Sequence, residues 1–204
     1  MPTIEANGET IFFVDEGDGP PILFIHSLGS NNTLYRDQIA ALKSSYRCIA
    51  PDCRGHGGSS YNGTFTVEDV AADHKAVLDH LGIEKCHIVG LSMGGPIALN
   101  MNTRWPGLAQ SMTIADSFAR IRGGAEDRIY ATLDELAAEI AKCPPKAYVD
   151  TVRAIFTYDS TGDLAKVTAP TLILIGDSDD ATPMAESEFI RDGIKGSEIR
   201  VIPD

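Results

Sequence analysis

The feature that most restricts how this chain can fold is the segment Val89-Gly90-Leu91-Ser92-Met93-Gly94-Gly95, between a short apolar run and a long helical pattern. It matches the pattern G-x-S-x-G, in which a strand turns sharply into a helix with the serine at the apex. The glycines let the backbone pass close beside the serine without a Cβ atom in the way. The helix that follows directs free N–H groups and the positive end of its dipole toward the same point. The segment therefore predicts an exposed, nucleophilic Ser92 at the end of a buried strand.

Composition and charge narrow the class of protein. The 204 residues are 43% hydrophobic and 23% charged, which is typical of a soluble globular protein with a sizeable core. The net charge is −12 without any basic block, so neither nucleic acid nor an anionic membrane surface is an expected partner. The N-terminus lacks a basic region and an apolar segment, and no apolar run approaches the roughly 18 residues of a membrane span. We therefore expect a cytoplasmic protein without a membrane segment.

The cysteines indicate neither a metal site nor a disulfide framework. The four of them lack C-x-x-C spacing and a partnering histidine pattern; they are Cys48, Cys53, Cys86 and Cys143. We expect reduced cysteines that pack in the interior, and no metal or cofactor.

Strand and helix patterns alternate along most of the chain. An opening hairpin is predicted at 3–6 and 10–15, and further strands at 22–25, 46–50, 86–89, 112–115, 171–175 and 198–202. Helical patterns separate these strands, and one of them begins with the capping-box sequence Thr66-Val67-Glu68-Asp69. This alternation predicts an α/β fold with a mostly parallel sheet, helices on both faces and sites at the carboxyl ends of the strands.

The pattern changes between about residues 117 and 163. Ile129, Leu133, Leu136 and Ile140 fall at helical spacing, Pro144-Pro145 interrupts them, and 148–156 has the pattern of a further helix. We predict a single domain over 1–204 with a short helical cap inserted at about 117–163.

Four motifs occur in the order found in α/β-hydrolases. HSLGS follows the first parallel strand, PDCRGHGGS the second, GLSMGG surrounds Ser92, and PTLILIGDSDDATP lies near the end. The chain resembles this family over nearly its whole length, and most resembles the 3-oxoadipate enol-lactonase group with related carboxylesterases and lactonases. The resemblance implies the α/β-hydrolase fold and hydrolysis of small carboxylic esters or lactones through an acyl-enzyme, without a cofactor.

The resemblance also implies roles for individual residues. Ser92 would be the nucleophile, and the backbone N–H groups of Leu28 and Met93 would form the oxyanion hole. Asp179 would be the acid that orients a general-base histidine. Counting alone also permits Asp177 or Asp180, but the spacing G-D-x-D-x-x-x-P favours Asp179.

The histidine of the triad does not follow. All five histidines precede Ser92, whereas the family places the general base in a loop after the last strand; they are His26, His56, His74, His80 and His87. We expect that this loop and the closing helix are absent, through truncation or in a natural variant, and the stop directly after a strand favours truncation.

Each histidine present has a structural interpretation. His26 is the one alternative base, although we expect it to shape its own loop. His56 is expected to be structural and His74 to be a core histidine with a satisfied hydrogen bond. His80 and His87 are expected at the surface or at a strand edge.

Other side chains are candidates for the substrate pocket. His26, Tyr130, Tyr148 and Phe156 would line it, with the alternative that the aromatic residues pack the cap against the core. Arg54 is expected to brace its loop through a buried ion pair rather than to bind substrate.

These observations predict a serine hydrolase whose partner is a small ester or lactone. One alternative is a C–C bond hydrolase of ring-cleavage products with the same serine machinery. Another is a non-catalytic ligand-binding homologue. The intact serine and aspartate favour an enzyme, and the missing histidine favours the ligand-binding protein.

Overall fold

The structure, a computed structural model, describes residues 2–121 and 140–203. Its first two strands form the predicted hairpin, with β1 at Thr3–Ala6 and β2 at Glu9–Glu16 paired antiparallel. Asn7 and Gly8 make the turn, and both have positive φ angles, 51° and 81°. Asparagine and glycine are the residues that a tight hairpin turn prefers for this reason.

Six further strands extend the sheet. They are β3 (Pro21–Ile25), β4 (Arg47–Pro51), β5 (Cys86–Leu91), β6 (Ala109–Ala115), β7 (Thr171–Gly176) and β8 (Glu198–Ile202). The eight strands of the described residues lie in the order β1-β2-β4-β3-β5-β6-β7-β8. The strands from β3 to β8 pair in parallel, while β2 joins β4 antiparallel. The predicted α/β class, with a mostly parallel sheet, is confirmed.

The helices connect these strands. They are α1 (Arg36–Leu42), α2 (Val67–His80), α3 (Gly94–Arg104), α4 (Pro145–Thr157) and α5 (Met184–Gly193), with 3₁₀ helices at Asn32–Tyr35 and Thr161–Lys166. The predicted capping box is present at the start of α2: the Thr66 hydroxyl accepts from the Asp69 N–H, and the Asp69 carboxylate accepts from the Thr66 N–H. The boundaries of α2 are therefore set locally by its own sequence.

Pro144-Pro145 begins a helix as well as interrupting a pattern. Pro145 is the first residue of α4, where the missing N–H costs nothing because it would have no partner in the helix.

Apolar residues cover both faces of the sheet. Ile22 and Phe24 of β3 pack in a smaller cluster with Tyr35 and with Ile39 of α1. The alternating residues of β3 face the larger cluster, which includes residues of α2, α3 and α5. Helices on both faces position the loops at the carboxyl ends of β3 to β7, where the site is predicted.

The described part of the predicted cap contains α4 and the second 3₁₀ helix, with no strand among its described elements. Residues 122–139, including Ile129, Leu133 and Leu136 of the helical pattern, lie outside the described residues. The extent of the cap, 117–163, and the single domain stay predictions.

The loop after β4 supports α4. Ala147 of α4 is fully buried, and a Cβ atom added at Gly55 would lie 2.6 Å from its Cβ. The Cys143 Sγ lies 3.0 Å from the carbonyl oxygen of Gly55, and Tyr61 donates a short hydrogen bond to the buried Asp150 carboxylate. Within the two described ranges, no helix is both long and apolar enough to cross a membrane.

Candidate active site

Ser92 lies at the apex of the turn between β5 and α3. Its φ of +52° places it in the left-handed region, which non-glycine residues adopt rarely and mostly at functional sites. Its N–H donates to the Ala115 carbonyl at 2.9 Å, and its carbonyl accepts from the Gly95 N–H at 2.9 Å and the Ser117 hydroxyl at 2.7 Å. These hydrogen bonds, two of them with the end of β6 and the residues that follow it, hold the serine in this conformation.

The glycines around Ser92 are required by close backbone contacts. A Cβ atom at Gly90 would lie 2.3 Å from the carbonyl oxygen of Gly94, and one at Gly94 would lie 2.3 Å from that of Ile25. At Gly95 it would lie 2.0 Å from the Ser117 hydroxyl oxygen. The sharp turn therefore depends on all three glycines.

The two predicted oxyanion amides lie on the segments that meet at this turn. Leu28 follows β3, and the contact of Gly94 with Ile25 brings the start of α3 against the end of β3. Neither the Leu28 nor the Met93 N–H donates a hydrogen bond to any other residue in the described ranges. Both N–H groups can therefore bind the oxygen atom of a substrate, and their role as the oxyanion hole stays a prediction.

His26 holds the loop that carries Leu28. Its Nδ1 donates to the Ser27 carbonyl at 2.8 Å, and its Nε2 accepts from the Cys53 N–H at 2.9 Å. A carbonyl can only accept and an amide N–H can only donate, so these bonds fix the neutral tautomer with the proton on Nδ1. Burial and the neighbouring His56 lower the pKa of His26 well below its ordinary value. With both ring nitrogens occupied, His26 is not available to accept the proton of Ser92.

His56 acts on the same loop from the other side. Its Nε2 accepts from the Gly29 N–H at 3.3 Å, and its Nδ1 donates to the Arg54 carbonyl at 3.2 Å. Its ring lies 5.2 Å from that of His26, and burial lowers its pKa. The structural role predicted for His56 is confirmed.

The other three histidines lie on α2 and β5. His74 is buried and its Nδ1 donates to the Val70 carbonyl at 2.8 Å, as predicted. His80 is exposed at the end of α2. Because α2 leads back to the start of β5, this end of the helix lies near the amino ends of the parallel strands, whereas Ser92 lies at their carboxyl ends. The strand-edge position expected for His87 is wrong, because β5 is central and pairs with both β3 and β6. His87 precedes Ser92 by five residues, which is about 16 Å of extended strand.

Asp179 is the best ordered of the three candidate acids. Its Oδ1 accepts from the Ala181 and Thr182 N–H groups at 2.8 and 2.9 Å, and its Oδ2 accepts a short hydrogen bond from the Thr182 hydroxyl. Asp177 and Asp180 are exposed, whereas Asp179 is half-buried. The loop after β7 therefore orients the Asp179 carboxylate through three hydrogen bonds.

Sequence analysis did not identify Asp116, the residue directly after β6. Its φ is +41°, its N–H donates to the Leu174 carbonyl at 2.9 Å, and its Oδ1 accepts from the Gly176 N–H at 2.9 Å. Burial raises the pKa of Asp116, and the nearby Asp179 carboxylate acts in the same direction. A polar residue at the carboxyl end of a parallel strand is the sequence feature that could have identified it.

Of the three predicted aromatic pocket residues, Tyr148 and Phe156 lie within the described ranges. The Tyr148 ring lies beside the loop of Leu28, since a Cβ atom at Gly29 would be 3.4 Å from its Cε2. Phe156 packs, partly buried, against the main core, and Tyr130 lies outside the described residues.

Arg54 forms the expected buried ion pair. Its Nε and Nη2 donate to the two carboxylate oxygens of Asp73 at 2.7 and 2.8 Å, and both side chains are almost fully buried. A bidentate pair of this kind braces the loop after β4 against α2.

Comparison with known proteins adds three findings. A model of the alpha/beta hydrolase fold matches residues 20–125. A 3-oxoadipate enol-lactonase of Acinetobacter baylyi is 32% identical over 91% of this chain and 81% of its own length. Two solved structures superpose with a TM-score of 0.89. One is Est816, described as an N-acyl homoserine lactone degrading enzyme, which is 27% identical with 100% of this chain and 92% of that chain covered. The other is a thermophilic esterase from Thermogutta terrifontis, which is 26% identical with 100% and 90% covered.

Proposed function

Because the chain belongs to the α/β-hydrolase fold family, we propose that it is a serine hydrolase of small carboxylic esters or lactones, similar to the enol-lactonases. The observation that carries the proposal is Ser92, held at the apex of the turn with a φ of +52°. The likeness to an enol-lactonase and to lactone- and ester-cleaving enzymes supports the substrate class.

In the proposed reaction, the Ser92 hydroxyl attacks the acyl carbon of the substrate. The negative charge that develops on the carbonyl oxygen is stabilised by the Leu28 and Met93 N–H groups, each worth ~3–4 kcal/mol in such a position. Loss of the alcohol leaves an acyl-enzyme, which water then hydrolyses. In a lactone the alcohol is part of the same molecule, so the first step opens the ring.

The serine proton needs a base, and in the triad this base is a histidine oriented by an aspartate. Asp179 is the proposed aspartate. The five histidines of the sequence either have ring nitrogens bonded within the fold or lie at the far end of the sheet. If no further histidine follows β8, the site fits a second candidate function, a ligand-binding protein that keeps the site without the catalytic base.

The codons that follow the one for Asp204 separate the two functions. A histidine in a loop beyond β8 supports the hydrolase, and a stop codon directly after Asp204 supports the ligand-binding protein.

The kinetic test compares the protein encoded by the gene with its Ser92→Ala variant. We expect kcat for p-nitrophenyl acetate and for a small lactone to fall ~10³-fold or more, as for loss of a nucleophile in a triad. Ser44→Ala, which removes an exposed hydroxyl at the end of α1, is the matched control and should keep the wild-type rate. Equal rates for Ser92→Ala and wild type, with unchanged thermal melting, would refute the proposal.

A further inference from the structure

The loop that carries Leu28 runs from the end of β3 at Ile25 to the 3₁₀ helix that begins at Asn32. The loop after β4 holds it at two points, His26 near its start and Gly29 in its middle. The position of the Leu28 N–H therefore also depends on what fixes the far end of the loop, at Asn32.

Asp52, the residue directly after β4, fixes this far end. Its Oδ1 accepts from the backbone N–H of Asn32 at 2.7 Å and from the side-chain Nδ2 of Asn32 at 2.8 Å. Its Oδ2 accepts from the Gly58 N–H at 2.8 Å. Asp52 is only 1% exposed, so these protein donors satisfy the carboxylate in place of water.

The surroundings of the Asp52 side chain require an acceptor at both of its oxygen positions. The two N–H groups of Asn32 and the N–H of Gly58 all donate and cannot accept. An amide in place of the carboxylate would direct its own NH₂ group at one of these donors and lose at least one of the three hydrogen bonds. A carboxylate is therefore the side-chain group that matches this set of donors.

The loop after β4 thus holds the loop of Leu28 at three evenly spaced positions, His26, Gly29 and Asn32. The bond at the middle position, from the Gly29 N–H to His56 Nε2, is the longest at 3.3 Å. A hydrogen bond of this length is weak. Gly29 therefore stays against His56 only while the positions on either side of it are held.

We propose that Asp52 is a positioning residue for the oxyanion hole. It holds Asn32, and through Asn32 it keeps Gly29 in place and the Leu28 N–H directed at the reacting oxygen atom. The value of this arrangement for catalysis rests on the proposed function, whereas the anchoring of the loop does not. Since the oxygen develops its negative charge in the transition state, Asp52 should affect kcat more than KM.

Two substitutions weaken the contact to different extents. Asp52→Asn keeps the shape of the side chain and loses at least one hydrogen bond. Asn32→Ala removes the Nδ2 donor and keeps the backbone bond to Asp52, and it decides the question if Asp52→Asn does not fold. Thr33→Ala is the matched control, because it removes an exposed hydroxyl of the same 3₁₀ helix that donates to the Asn31 side chain at 2.7 Å.

Hydrogen exchange of the Gly29 amide tests the anchoring and needs no turnover. In the protein that the gene encodes, we expect this amide to exchange about tenfold faster in Asp52→Asn and about threefold faster in Asn32→Ala. The amides of β5 should keep their wild-type rates, and Thr33→Ala should match the wild type throughout. Unchanged exchange of the Gly29 amide in Asp52→Asn, or in Asn32→Ala if the first variant does not fold, would overturn the inference.

Kinetics with p-nitrophenyl acetate test the consequence for the oxyanion hole. In Asp52→Asn we expect kcat to fall about tenfold while KM changes by less than about twofold, because the Leu28 donor is displaced rather than removed. A merely structural role would lower the melting temperature and leave kcat per folded molecule unchanged, and this result would also overturn the inference. If wild type and Ser92→Ala hydrolyse the ester equally, the proposed function fails, and exchange at Gly29 still decides whether Asp52 anchors the loop.

Discussion

The conformation of Ser92 depends on neighbours that have no side chain. Gly90, Gly94 and Gly95 each leave less than 2.5 Å between an added Cβ atom and another atom, and for Gly90 and Gly94 that atom is a backbone carbonyl oxygen. Backbone atoms cannot rotate away as the end of a flexible side chain can, so a methyl group at these positions must move the turn itself.

The substitution Gly94→Ala should therefore displace α3 from the end of β3. We expect the free energy of unfolding, measured with urea, to fall by about 1–3 kcal/mol, as for other overpacking changes. Hydrolysis by the protein that the gene encodes should decrease as well, because Met93 and Ser92 lie in the same turn.

Gly162→Ala is the matched control for this prediction. Gly162 is exposed, has no positive φ angle, and an added Cβ would meet no atom within 4 Å. Its effect on unfolding should stay within about 0.5 kcal/mol. If Gly94→Ala were as mild as this control, the steric account of the turn would be wrong.

Some single-residue features could be predicted from the sequence and others could not. The turn at Ser92 and the core position of His74 could be predicted, because each is coded by neighbouring residues or by helical periodicity. A buried ion pair was also predicted for Arg54, but its partner Asp73, which lies on α2, was not. Asp116 could not be predicted in the same way. Its partners, Leu174 and Gly176, lie on β7, and the pairing of β6 with β7 is a property of the sheet. The predicted strand-edge position of His87 was wrong for the same reason, because the sequence of a strand does not show whether that strand is central or at the edge of the sheet.

At the scale of elements, α4 depends on the loop that follows β4. Ala147 is fully buried against Gly55, whose φ of +76° turns the loop toward the helix. On the same helix Val149 is 53% exposed, so one residue faces the loop and the other faces solvent. Contact at Ala147 is therefore close enough to set the distance between α4 and the loop.

Ala147→Leu should separate α4 from this loop. We expect a loss of about 1–3 kcal/mol in the free energy of unfolding, together with faster hydrogen exchange of the α4 amides. Val149→Leu enlarges a side chain on the exposed face of the same helix and should change neither quantity by more than a small amount. Similar effects of the two substitutions would show that α4 is not held by this contact.

The helix boundaries could be predicted where a local motif marks them. The capping box starts α2 one residue after Thr66, and Gly82, with a φ of +69°, lies just beyond its end. The helix predicted at 148–156 begins a few residues after the observed start of α4 at Pro145. A proline pair can mark either the end of one helical pattern or the start of the next.

At the scale of the whole molecule, three histidines are buried in the neutral state. Burial lowers the pKa of His26, His56 and His74. In the unfolded chain a histidine takes up a proton near pH 6.5. Below this pH the unfolded state therefore binds more protons than the folded state, and stability decreases as pH falls.

We expect the free energy of unfolding to be constant from pH 8 to about 7 and to fall below about pH 6.5. Each histidine that stays neutral in the folded state should contribute up to about 1.4 kcal/mol per pH unit to this slope. Urea denaturation at several pH values measures it. Replacing the exposed His80 by Gln should leave the slope unchanged, and a stability that is flat from pH 7 to 5 would contradict the prediction.

The overall architecture was the most predictable level of organisation. Alternating strand and helix patterns indicated a parallel sheet, and four motifs in order indicated the family; the sheet and the comparisons confirm both. The identity of the substrate is not coded in this way, because the same fold supports many reactions through differences in its loops.

The hydrogen bonds of Ser92 also determine when its geometry can form. Its N–H bonds to Ala115 and its carbonyl to Ser117, and Asp116 next to them bonds to Leu174 and Gly176. During synthesis the ribosome adds β5 and the serine before β6, which carries the partners of Ser92 at its end and just beyond it. A chain that ends before β6 therefore cannot form the hydrogen bonds that join Ser92 to Ala115 and Ser117.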